Sequence, residues 1–175
     1  MDRIKLVPVS GEYAAAIADY RAEFPDNRER VTLDPDRVPG LDHLEEYESV
    51  PAWLDFCAAM AGKVDWYLSV REGDGRVVGA LIFRHKLEYD DDDPDFRSHI
   101  GYSIRPSERG KGYAKEQLRL GLEKATELGL KKVRVICLDT NTASQKTILA
   151  NSGIYLDTLH GEESGLNVLR YDMLL

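Results

Sequence analysis

The chain has 175 residues, 43% of them hydrophobic and 31% charged, the mix of one ordinary globular domain rather than a disordered chain. Lys plus Arg number 23 and Asp plus Glu 31, and the formal net charge of −8 argues against DNA or RNA as a partner, since phosphate binding needs clustered cations. No apolar run of about 18 residues suggests a membrane span, and four scattered histidines make no zinc site.

In chain order, Ile4 to Pro8 reads as a short first strand. Ser10 stands where it would cap a helix over Tyr13 to Phe24, in which Tyr13, Ile17, Tyr20 and Phe24 recur at helical spacing. Residues 26–40 carry turn signals and read as loop. Leu41 to Met60 gives a second helical region, interrupted at Pro51 and closed by Gly62. Its Trp53, Leu54, Cys57 and Met60 form an apolar stripe.

Trp66 to Val70 and Arg76 to Leu87 are the strands of a hairpin about the turn Glu72 to Gly75. The acidic run Asp90 to Asp95, broken by Pro94, reads as a solvated connector. Ser98 to Ile104 is the next strand, and residues 113–128 follow as an amphipathic helix that stops at Gly129. Val133 to Leu138 is apolar nearly throughout, as expected of a strand buried on both faces. Asn141 opens a helix over about Ala143 to Ala150, and strands Ile154–Leu159 and Asn167–Leu174 close the chain. The whole is one α/β domain. Cys57 and Cys137 each lie in an apolar stretch and read as buried free thiols, which suits a reducing cytoplasm. The first residues also lack the apolar stretch of a secretory leader.

Strand 98–104, helix 113–128 and strand 133–138 form a β-α-β unit whose strands are expected to be parallel. Between the first strand and the helix runs Arg109-Gly110-Lys111-Gly112-Tyr113-Ala114. Glycines let the backbone approach a ligand, and the first turn of a helix offers unpaired N–H donors at the positive end of its dipole. That combination suits a phosphate or pyrophosphate, with Arg109 and Lys111 adding charge of the right sign. A Walker loop is excluded because Gly110-Lys111 is followed by Gly112 rather than Ser or Thr. A dinucleotide fingerprint fails because Lys115 stands where its third glycine belongs. A plain tight turn would not account for the two flanking cations in an otherwise acidic chain.

The remaining pattern, R-x-x-G-x-A from Arg109 through Gly112 to Ala114 between a strand and an amphipathic helix, resembles the coenzyme A loop of the GNAT N-acetyltransferase superfamily. The sequence is similar in look to ribosomal-protein-modifying acetyltransferases and to an uncharacterised bacterial branch. The resemblance implies a mixed β-sheet flanked by helices, with two parallel central strands splayed apart to admit the pantetheine arm. It divides the single domain into a variable acceptor-side half (1–97), a coenzyme A-binding core (98–160) and a closing strand (161–175).

Carried over by residue, the resemblance gives Ile104 the pantetheine amides. It gives Arg109, Gly110, Lys111, Gly112, Tyr113 and Ala114 the pyrophosphate, and places Asn141 and Ser144 beside the arm. Asn141 is equally a good helix cap. The tyrosine that often serves relatives as general acid falls at Ile148, which cannot donate a proton; Tyr155 is then a candidate acid. His99, on the strand beside the splay, is the candidate general base toward a protonated amine, because an imidazole titrates near 6.5. Glu88, Tyr102 and Asp139 are lesser candidates. Trp53, Trp66 and Tyr67 fit a core or an acceptor pocket.

The implied activity is direct acetyl transfer from acetyl-CoA to a primary amine of a small molecule or peptide, without a metal. A homodimer is left open, and neither nucleic acid nor membrane is expected as a partner. A different class, an acyl-CoA-binding sensor without turnover, is fed by Ile148. A nucleotide-binding protein using the same loop is a third possibility.

Overall fold

The structure is a computed structural model that describes residues 2–24, 37–87, 97–162 and 164–175. Its first part comprises β1 (Ile4–Pro8), α1 (Ala14–Ala22), α2 (Val50–Ala59), β2 (Val64–Arg71), β3 (Val77–Arg84) and β4 (Ile100–Ile104). There follow α3 (Tyr113–Glu127), β5 (Lys132–Leu138), α4 (Thr142–Leu149), β6 (Ile154–His160) and β7 (Asn167–Leu174).

Two helix starts differ from expectation for local reasons. Ser10 makes no side-chain cap; a 3-10 turn over Gly11–Tyr13 intervenes and α1 begins at Ala14. Pro51 starts α2 instead of interrupting it, because a missing N–H costs nothing in a first turn. Ser49 Oγ there accepts from the Ala52 N–H at 3.3 Å.

The strands form two ladders, both antiparallel throughout: β1–β2–β3–β4 and β5–β7–β6. The parallel pair expected of β4 and β5 is therefore not a ladder. Among the described residues one main-chain hydrogen bond joins the two segments, His99 N–H to Arg134 C=O at 2.9 Å, just before β4 begins.

The strand buried on both faces is β3, not β5. From β3, Ala80 and Ile82 pack with Ile17, Tyr20, Trp53 and Trp66 beneath α1 and α2. Leu81 and Phe83 pack with Ile100, Leu118, Val133 and Val135 on the other side. Strand β5 instead alternates, with Val133 and Val135 buried and Arg134 and Ile136 half-buried, so only one of its faces is fully covered. Trp53 and Trp66 meet edge to face at 6.2 Å inside the first cluster, so both are core residues. Tyr67 packs against the second cluster.

Helix α3 lies close on the sheet through Gly121, where a Cβ would come within 2.9 Å of Leu81 Cδ1. Its Leu118 and Ala125 are fully buried, and burying a leucine stabilises by about 1.5–3 kcal/mol. This contact fixes the start of α3 beside the end of β4.

Candidate active site

The end of β4 supplies the first wall of a cavity of about 580 Å3. Arg105, just past the strand, donates its N–H to Val78 C=O of β3 at 2.9 Å. Main-chain groups alternate in direction along a strand, so those of Tyr102 and Ile104 point away from β3. With β4 at the edge of its ladder, they face the cavity that both residues line.

The second wall is the glycine loop. Gly110 and Gly112 adopt left-handed φ of 75° and 86°, a region that a side chain would strain. Gly112 is the residue before α3, so this turn directs the helix's first N–H groups at the cavity. Arg109, Gly110, Gly112, Tyr113 and Ala114 line it, as do Ile104, Asn141 and Ser144. The loop fits an anion by its main chain.

Charge around the loop is arranged differently from expectation. Lys111 is absent from the lining; its Nζ bonds Glu108 Oε2 at 2.8 Å. The buried Glu108 carboxylate also accepts from Arg71 at 3.0 Å. The bond from Lys111, with Arg71 and Arg76 nearby, holds its pKa below the usual carboxylate range. Lys111 is thus turned onto Glu108 and away from the cavity. Arg109 keeps its place in the lining, with its guanidinium 5.7 Å from the Phe24 ring and its Nε on Ile104 C=O at 3.3 Å. Lys115 and Lys146 supply the lining charge that the motif did not point to.

The turn between β4 and the loop is anchored by Arg105, of which 1% is exposed. It donates to Val77 C=O at 2.8 Å, Asp19 at 2.7 Å and Glu23 at 2.8 Å. Glu23 also accepts from the Ser107 N–H at 3.2 Å. Some desolvation works against its charge, but the bonds from Arg105 and Ser107 outweigh it and hold the Glu23 carboxyl down at about 2.

The third wall is α4. Asn141 Oδ1 accepts from the Ser144 N–H at 3.0 Å, so the cap role is in place and the same residue lines the cavity. Ser144 and Thr147 share one face of α4 and line the cavity, whereas Ile148 points into the core, fully buried with Val133 and Val135. Ile148 is turned about 100° round the helix from Thr147, onto the side of α4 that meets the core. Ser144 Oγ lies 2.9 Å from the Tyr102 hydroxyl across the cavity wall.

The candidates for proton transfer are not gathered there. His99 is not in the lining, and its Nδ1 accepts from the Arg134 N–H at 2.9 Å. A neutral imidazole holding that bond carries its hydrogen on Nε2, so neither nitrogen offers a free lone pair. Tyr155 is 53% exposed on β6, an outer strand two places from β5, with its hydroxyl on Thr158 Oγ1 at 2.8 Å. Asp139 binds the Asn167 amide at 2.8 Å outside the lining. Glu88 lies outside the described residues. Among the described residues no cluster of His, Cys, Asp and Glu is placed to hold a metal, and no helix is long and apolar enough to cross a membrane.

Comparison with known proteins is consistent with this architecture. Residues 3–152 match the family model described as an acetyltransferase (GNAT) domain. Curated protein sequences gave no match. Among solved structures, an acetyl transferase from Salmonella typhimurium that modifies the N-terminal serine of a ribosomal subunit protein superposes with a TM-score of 0.73 at 16% identity, over 98% of this chain and 95% of that one. RimJ from Mycobacterium smegmatis, in complex with a coenzyme A disulfide, superposes with a TM-score of 0.74 at 21% identity, over 98% and 81%. Identities this low speak for the fold alone. The family match covers most of the sequence and takes in β4, the glycine loop, α3 and α4 together, and on that ground the chain belongs to the GNAT acetyltransferase family.

Proposed function

We propose that this enzyme transfers the acetyl group of acetyl-CoA directly to a primary amine of a small molecule or peptide. The observation that carries this reading is the meeting of three features on one cavity: the outward-facing main chain of β4, the glycine turn before α3, and the polar face of α4. In this reading the first-turn N–H groups of α3, with Arg109, hold the pyrophosphate. The main chain of Tyr102 and Ile104 pairs with the amides of the pantetheine arm, and an N–H of β4 polarises the thioester carbonyl. Acetyl-CoA supplies an activated acyl carbon and a thiol leaving group. Asn141 and Ser144 flank the arm at its inner end.

A lysine-like amine is protonated at neutral pH, its pKa being about 10.4, and must lose a proton before attack. With His99 Nδ1 committed to Arg134, we place the departure of that proton in solvent, directly or through a water. The net negative charge favours a cationic acceptor. The related Salmonella typhimurium enzyme acts on the amino terminus of a protein, and a peptide amino terminus is the first acceptor to try.

One observation favours a second reading, an acyl-CoA-binding module without turnover: Ile148 is packed in the core where many relatives carry a tyrosine acid. The two readings separate in one experiment. Calorimetric titration with acetyl-CoA is expected to show binding, and thiol release against a panel of peptide and small-molecule amines is expected to show amine-dependent turnover. Binding with no release above background on any amine would select the module.

A further inference from the structure

Four side chains from three elements meet at the inner end of the cavity: Tyr102 of β4, Cys137 of β5, and Ser144 and Thr147 of α4. Tyr102 hydroxyl and Ser144 Oγ are 2.9 Å apart, and either can donate to the other; Thr147 stands beside the Tyr102 hydroxyl and Cys137 beside Ser144. Tyr102, Ser144 and Thr147 all line the cavity. A serine hydroxyl has one hydrogen and a free rotor, so its neighbours decide whether that hydrogen points into the wall or into the cavity. A hydrogen donated by Tyr102 to Ser144 leaves the Ser144 hydrogen free to point into the cavity, whereas donation in the reverse direction ties it to the wall. The Ser144 main chain is itself held by Asn141. Burial pushes the Tyr102 phenol above its ordinary value, so it keeps its hydrogen at any working pH.

We propose that Tyr102 is a positioning residue for acetyl transfer, donating its hydroxyl hydrogen to Ser144 so that the Ser144 O–H is turned into the cavity and hydrogen-bonds the departing coenzyme sulfur. The proposal rests on the coenzyme reading of the cavity. In the transfer the amine nitrogen forms a bond to the acetyl carbon and the carbon–sulfur bond breaks with its electron pair on sulfur. The amine, having lost its first proton before attack, gives a second to solvent as the amide forms, and the products are the amide and a thiolate. Ser144 stabilises that thiolate without losing its own hydrogen, so no net proton passes through Tyr102. The arrangement serves the purpose of an acid at position 148 from one turn earlier on α4.

The thiol titration needs no acceptor amine, and the kinetic comparison uses an amine that the panel shows to be acetylated. Coenzyme A bound to the protein is titrated with pH and its thiolate read by ultraviolet absorbance. Burial pushes the two protein thiols, Cys57 and Cys137, up to about 12 and about 11, above the range in which a simple thiol titrates, near 8.5. In the wild type the bound thiol is expected to ionise at lower pH than free coenzyme A. Tyr102→Phe is expected to raise that value by about one pH unit, tenfold in the ionisation constant, as for loss of one hydrogen bond to a charged group. Coenzyme affinity at neutral pH and the KM for acetyl-CoA stay near wild type while kcat falls about tenfold. Ser144→Ala raises the value at least as far, and the double variant matches Ser144→Ala alone, because Tyr102 acts through Ser144. A Tyr102→Phe protein with a wild-type thiol titration, or a double variant whose shift is the sum of the singles, overturns the proposal. If Tyr102→Phe does not unfold cooperatively, Thr147→Val removes the hydroxyl beside Tyr102 and is expected to shift the value in the same direction by less; no shift there overturns the proposal. A wild type that binds no coenzyme A in calorimetry overturns the cavity assignment and this proposal with it.

Discussion

The two ends of the cavity are built from different materials. At the outer end the ligand-facing groups belong to the main chain: two left-handed glycines and the first turn of α3, with the nearby Lys111 charge turned back onto Glu108. At the inner end they are side chains, hydroxyls of Tyr102, Ser144 and Thr147 drawn from β4 and α4. The outer end therefore depends on conformation and tolerates side-chain change, except at glycine. The inner end depends on a few hydroxyl groups and tolerates little. In the proposed coenzyme reading the difference follows from the ligand chemistry: a pyrophosphate spreads its charge over many oxygens that a row of amides can meet, whereas a sulfur is one atom.

The largest effect is expected at the outer end. Gly112→Val places a β-branched side chain at φ 86° and on the cavity wall at once. Coenzyme A affinity is expected to fall by at least about a hundredfold, as for loss of several charge-assisted bonds, while circular dichroism and cooperative unfolding persist. Calorimetric titration of the folded variant reads this directly, and an unchanged affinity would remove the loop from the site. Next in size is Ile148, which belongs to the core and to neither end. Ile148→Ala is expected to destabilise by about 2–5 kcal/mol in denaturant unfolding. Ile148→Tyr is expected to destabilise by overpacking and to leave turnover no faster. A tyrosine there that restored or raised kcat would show that position 148 reaches the reacting end.

The same contrast explains what was legible in the sequence. A glycine turn between a strand and an amphipathic helix is a local pattern, so Arg109 through Ala114 and the extent of α3 could be read from consecutive residues. The hairpin, β7 and the cap at Asn141 were legible for the same reason. The inner end joins residues more than forty positions apart, Tyr102 to Ser144, and only folding brings them together. The periodicity of α4 did hold a signal, since Ser144 and Thr147 share a polar face. The ion pair that turns Lys111 onto Glu108 was missed because charges counted along a loop say nothing about which way they turn. The apolar run of β5 looked doubly buried, but hydrophobicity alone does not reveal which faces of a strand the rest of the fold covers. Ser10 misled because the segment after it opens as a 3-10 turn, so its hydroxyl makes no cap bond although its extended backbone matches that of the capping Ser49.

A smaller effect tests the scaffold behind the outer end. Glu23 titrates at about 2 in the fold against an ordinary value of 4.5, chiefly through bonds from Arg105 and Ser107 that overcome its desolvation. A carboxylate depressed on folding contributes stability that is complete above its unfolded pKa and is lost as pH falls through the folded value. Stability is therefore expected to decline between about pH 4.5 and about 2. Glu23→Gln is expected to be less stable at neutral pH and to show a flatter decline across that window. Equal slopes for the two proteins in urea unfolding at several acid pH values would show that Glu23 does not contribute.

The smallest effect is expected where β4 and β5 are stitched together, at the far side of the gap from the loop. His99 exchanges two bonds with Arg134: its N–H donates to Arg134 C=O and its ring Nδ1 accepts from Arg134 N–H, each at 2.9 Å. A glutamine can offer an acceptor in place of Nδ1, so His99→Gln retains the stitch while removing the imidazole. If the ring only holds the strands, kcat on an amine of high pKa stays within about threefold of wild type, whereas general-base assistance would be worth 10²–10⁴-fold. His99→Ala keeps the main-chain bond but loses the ring acceptor, leaving a half-buried N–H of Arg134 without it. That costs about 1–3 kcal/mol of stability, and the gap it holds widens. Activity lost in His99→Ala and kept in His99→Gln marks a strut. Activity lost equally in both, and recovered with an acceptor already neutral at the assay pH, would instead make the imidazole the base and require Nδ1 to release Arg134 during turnover.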